Sequence, residues 1–133
     1  MSAPYDQQKA LADLLTAAGL PTTAQVPEVR TPPFRYVLTG GPWITSGQTL
    51  GQWRAHFRVV CVARKGTNET QMSELGDMVR AVIRAVKGSR FAVTADAVDE
   101  PAVMTTGGTT TLGAVVNITT ALSRAEFEEV PAP

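Results

Sequence analysis

The chain carries one imidazole and one thiol, His56 and Cys61, the pair that a Cys–His nucleophilic dyad would need. Both lie in a stretch that alternates residue by residue from Trp53 to Arg64. Successive side chains of a strand leave opposite faces, so positions 56 and 61 point away from each other. Only a bulge between them would bring them together. The spacing assigns Cys61 to the core as a small hydrophobe. It leaves His56 solvated or at an interface, on one face with Arg54, Arg58 and Arg64. A structural zinc site takes four ligands and a catalytic one about three, more than a single Cys and a single His supply.

Paired carboxylates are the next candidates, for acid–base work. Asp96, Asp99 and Glu100 lie near a strand end, and Glu126, Glu128 and Glu129 lie in a Pro-containing C-terminal stretch. Neither group has the spacing of a calcium loop, and both read as solvated acids. Gly40-Gly41 and Gly107-Gly108 make neither a phosphate-binding loop nor a dinucleotide fingerprint; they read as loop positions that use glycine's backbone freedom. Arg54, His56 and Arg58 remain. Stacking on nucleic-acid bases needs aromatic rings beside the basic groups, whereas Trp53 and Phe57 alternate to the other face. Nucleic-acid contact, a charged sheet face and a subunit interface stay open for these residues. No catalytic residue, cofactor or metal is expected.

Twelve basic and twelve acidic residues cancel, unlike the one-signed surface of a dedicated nucleic-acid or membrane binder. The balance is not local. Residues 30–90 hold ten basic and three acidic residues, a net of +7, and residues 91–133 hold one basic and six acidic, a net of −5. Either solvated faces have segregated, or copies of the chain meet basic region to acidic region, because complementary fields orient association.

These residues need elements to position them. A chain of 133 residues, 44% apolar, is one domain able to bury a core without disulfides. No apolar run reaches the roughly 20 residues of a membrane span, and the N-terminus lacks a signal-peptide pattern; a protein made in a reducing cytosol is expected. Leu11, Leu14, Leu15 and Ala18 have the spacing of a helix with one buried face, predicted over Tyr5–Ala18 and stopped by Gly19. Prolines at 21, 27, 32 and 33 allow at most a short edge strand near Gln25–Val29. Phe34–Thr39 alternates as a strand, and Gly40 to Gly51 reads as a loop. Trp53–Arg64 is the strongest strand, about 40 Å if fully extended. Asn68, with Gln71 three residues on, reads as a capping box for an amphipathic helix that Gly88 ends. Phe91–Val98 and Leu112–Leu122 are two further strands, joined by a long connection over Asp99–Thr111.

Strands in hairpin-like runs interrupted by one helix indicate α+β: a mainly antiparallel sheet of four to five strands with two helices on one face. The long strand outruns the second helix, so the Phe34–Arg64 hairpin is expected to project past the helical layer. Trp43, Ile44 and Trp53 on it would then need a neighbour. Residues 1–122 form the predicted domain and 123–133 an acidic, flexible tail.

The order of these elements resembles a family. An N-terminal amphipathic helix and a Pro-rich passage lead into Phe34-Arg35-Tyr36-Val37-Leu38. Then come a long loop, the strand Trp53-Arg54-Ala55-His56-Phe57-Arg58-Val59-Val60-Cys61-Val62, the helix around Glu74-Leu75-Gly76-Asp77-Met78-Val79-Arg80-Ala81-Val82 and two closing strands. Over roughly residues 3–122 this is similar to the tail terminator proteins of long, non-contractile-tailed bacteriophages, the group of the minor tail protein U. Head–tail connectors, stoppers and tail-tube proteins share the texture, and a small-ligand-binding α+β module is the alternative outside that group. The resemblance implies a homo-oligomeric ring, a hexamer, at the head-proximal end of the virion tail. Such a ring caps the tail-tube protein, stops its polymerisation and presents a surface to the head connector or stopper, with DNA only passing through the lumen. Trp43, Ile44, Trp53, Arg54, His56 and Arg58 would face a neighbouring subunit or the tube, and Gly40, Gly41, Gly107 and Gly108 would lie in contact loops.

Overall fold

A computed structural model of the chain describes residues 3–24, 33–46, 52–64, 66–106 and 109–122. Two helices and six strands follow in the order α1 (Ala3–Ala17), β1 (Thr22–Thr23), β2 (Phe34–Ser46), β3 (Trp53–Val62), α2 (Asn68–Val86), β4 (Phe91–Val98), β5 (Ala102–Thr106) and β6 (Thr109–Leu122). The class is α+β. The sheet is mixed and mostly antiparallel: β1 pairs parallel to β2, and all other pairings are antiparallel. Its order is β1-β2-β3-β6-β4, with β5 also on β6.

The helix termini follow from local chemistry. After α1 the Leu20 amide donates to Leu15 O at 2.9 Å, across Gly19 at φ +85°, the left-handed stop that favours glycine. The cap of α2 differs from the expected Asn68. Thr67 holds that position, its Oγ1 accepting from the Thr70 amide at 3.2 Å. Gln71 therefore does not close a box. Its buried Nε2 donates to Thr111 Oγ1 at 2.8 Å and ties α2 to β6.

Alternation divides the strands between two apolar clusters. Ala55, Phe57, Val59 and Cys61 of β3, with Val37, Val116 and Ile118, join Leu11 and Leu15 of α1 and Leu75, Val82 and Val86 of α2 in the main core. The intervening positions Val60 and Val62, with Phe34, Tyr36 and Val115, make a second buried cluster that contains no helix residue. So β2 and β3 are apolar on both faces at one end, whereas at the other end the second face carries Arg54, His56 and Arg58. Gln8 fastens α1 to the sheet edge: its Nε2 donates to Ala24 O at 2.6 Å and to Val37 O at 3.0 Å.

The sheet has six strands rather than the expected four to five, and three further expectations need correction. The loop predicted from Gly40 onward is strand as far as Ser46, because β2 leaves register between Thr39 and Ile44 and then pairs with β3 again. The long connection after Asp99 contains β5, which forms a hairpin with the first residues of β6. Arg64 is not on the basic sheet face. It follows β3, and its Nε meets Glu74 Oε2 of α2 at 2.9 Å while its amide donates to Glu74 Oε1 at 2.6 Å. The proposed edge strand at 25–29, Gly47, Gly51, Gly107, Gly108 and the 123–133 tail lie outside the described residues.

Candidate functional site

On the polar half of the second face lies an open-sided trough of about 550 Å³, within the size range of ligand sites. Its floor is β3 and β6 at Arg58 and Asn117, which face each other in register. One wall is the irregular part of β2, Thr39 to Pro42; the other is Thr94 and Asp99. That second wall exists because β4 also leaves register, between Val93 and Val98, around Ala97 at φ +48°. Bulges re-aim side chains and break pairing. Here two of them, on the two strands flanking β3 and β6, bound one depression.

The polar groups are held by backbone and side-chain partners around them. Arg58 Nε donates to Thr39 O at 3.0 Å, so its terminal amino groups lie beyond that anchor. His56 Nε2 bonds Thr45 Oγ1 at 2.8 Å. Partial burial, and then the charge of Arg54, hold the imidazole below its usual pKa, which favours the neutral ring. On the far wall Asn117 Nδ2 donates to Asp99 Oδ1 at 2.9 Å, and the Asp99 amide donates to Val115 O at 2.9 Å. Asp99 is thus an exposed acid, as expected, that also bonds the floor residue Asn117.

Of the residues singled out from the sequence, Gly40, Gly41, His56 and Arg58 line the trough together. Arg54 is exposed on the same strand face beside it. The three large apolar residues divide. Ile44 and Trp53 are partly buried and pack against the main core, whereas Trp43 is 43% exposed and belongs to neither cluster. Thr39, Pro42, Thr94 and Asn117 were not singled out. Asn117 had a visible signal, a lone amide within the apolar run Val115-Val116-Asn117-Ile118.

No protein-family model and no curated protein matches the chain. Among the described residues no three His, Cys, Asp or Glu side chains gather as a metal site, and no helix is long and apolar enough to cross a membrane.

Cys61 lies on the core face, away from the trough. Burial pushes its thiol up to about 11, against the opposing charge and hydrogen bond of Arg35. The thiolate is the reacting species, so native protein at pH 8 should resist iodoacetamide. Titration in denaturant should release one reactive thiol per chain; full labelling of the folded protein would show the core to be open at β3.

Proposed function

We propose that the chain is a structural virion protein, a bacteriophage tail terminator that assembles as a ring, caps the tail tube, stops its polymerisation and offers a surface for head attachment. The observation that carries this reading is Trp43: a large aromatic left 43% exposed on β2, the strand that pairs with β3, on which Arg54 and Arg58 are also exposed. Tryptophan and arginine are the residue types enriched at protein interfaces and their energetic centres. The order of elements adds support, since helix, hairpin, helix and closing strands are what the family resemblance rests on. In this reading both helices pack on one face, the β2–β3 hairpin reaches beyond them, and a neighbouring copy completes it. Ile44 and Trp53 act from beneath, as core residues that fix the hairpin from which Trp43 stands out.

Electron microscopy of the purified protein, alone and mixed with tail tubes, is the direct test. Rings that seat on tube ends and halt elongation are expected. Rings that bind the head side but leave tube growth unchanged would make the chain a connector or stopper instead. The trough favours one other reading, a small-ligand-binding module. Light scattering over a concentration series separates the two, because such a module stays monomeric throughout whereas a ring gains mass with concentration.

A further inference from the structure

Cationic groups gather on the β3 side of the trough, where Arg58 lines it and Arg54 lies beside it. Arg54 and Arg58 on β3 are exposed and have no ionic partner among the described residues. Among the described residues Arg58 uses only its Nε, toward Thr39 O, which leaves the terminal amino groups that grip a carboxylate. Among the described residues the one acid lining the trough, Asp99, is on the opposite wall and bonded to Asn117. An acidic occupant therefore has a defined side on which to sit.

The chain contains a segment of that chemistry. Glu126, Glu128 and Glu129 fall within residues 123–133, directly after β6. In the β3–β6 ladder Asn117 faces Arg58, Ala121 faces Arg54 and Leu122 faces Trp53. Strand β6 thus runs from the trough toward the rim beside Arg54 and ends there at Leu122. A further eleven residues reach at most about 40 Å when extended, enough to cross to an adjoining molecule. A closed ring needs two unlike faces on each subunit, and the cationic β3 side of the trough with the acidic residues 123–133 would supply them.

We propose that residues 123–133 of one copy dock in the trough of the next, with Glu126, Glu128 and Glu129 against Arg54 and Arg58. This rests on the ring reading and names the contact that closes the ring. Screening by salt weakens such a contact.

The test is a charge exchange in the full chain. One variant carries Arg54→Glu and Arg58→Glu; the other carries Glu126→Lys, Glu128→Lys and Glu129→Lys. Each alone is expected to self-associate at least about tenfold more weakly than the natural chain by light scattering, with circular dichroism and melting unchanged. Mixing the two should restore assembly, because each trough then meets an opposite segment from the other chain. If mixing fails while one chain carrying all five changes assembles, the segment folds back on its own trough and the proposal is overturned. If neither variant weakens an assembling wild type, the contact is wrong and the ring stands. A wild type that stays monomeric at every concentration overturns both. Should a reversal unfold the chain, the corresponding Gln variants, with a salt series, read the same contact.

Discussion

Trp43→Ala is expected to weaken self-association by about 30-fold while leaving the folded subunit intact. That factor corresponds to the roughly 2 kcal/mol that marks a residue dominating an interface, and a ring repeats the loss at every contact. The monomer should hardly register the change. Trp43 is 43% exposed and outside both apolar clusters, and surface substitutions of that kind usually stay within about 0.5 kcal/mol. Trp53→Ala is the internal control, because Trp53 packs against the main core and loss of its ring should lower the urea midpoint markedly. A Trp43→Ala chain that loses several kcal/mol of stability would show the side chain to be part of the fold. One that assembles normally would remove the tryptophan from the interface.

The contrast between the two tryptophans also shows what the sequence made legible. Alternation placed Ala55, Phe57, Val59 and Cys61 on one face and Arg54, His56 and Arg58 on the other, and both sets lie there because the period of a strand allows no other arrangement. The helical stripe of α2 was equally plain, since Leu75, Met78, Val82 and Val86 are its buried residues. The second half of β2 was hidden. Gly40-Gly41-Pro42 has the composition of a turn, and local composition cannot report that β2 recovers its pairing at Ile44. Strand β5 was missed for a related reason, being five residues long and bounded by Pro101 and glycines. The trough was not legible as a site. Asn117 and Asp99 meet because β6 pairs with β4 and because β4 breaks its register near them, which are properties of pairing rather than of either segment. Asn117 alone offered a hint.

Gly40→Ala should cost about 1–3 kcal/mol, the usual range for forcing extra volume into a packed site, and should disturb both trough and hairpin. A Cβ at position 40 would stand 2.8 Å from His56 Cβ and 3.1 Å from the His56 carbonyl carbon and oxygen. Backbone and Cβ atoms cannot swing aside as the end of a long side chain can. The strands must separate instead, and they would do so at a critical level. Between the pairs Thr39–Phe57 and Ile44–Ala55, four residues of β2 stand opposite the single residue His56. That excess chain forms one wall of the trough and carries Trp43. Separation there would strain the His56–Thr45 and Arg58–Thr39 hydrogen bonds and shift the tryptophan. The expected result is a lower urea midpoint with an unchanged slope, together with weaker assembly under conditions where the chain is still folded. Gly41→Ala supplies the comparison, because a Cβ there meets nothing within 4 Å and stability should stay within about 0.5 kcal/mol of the natural chain. Equal effects at 40 and 41 would mean that both glycines serve backbone conformation, and that close approach to His56 does not set the shape of this wall.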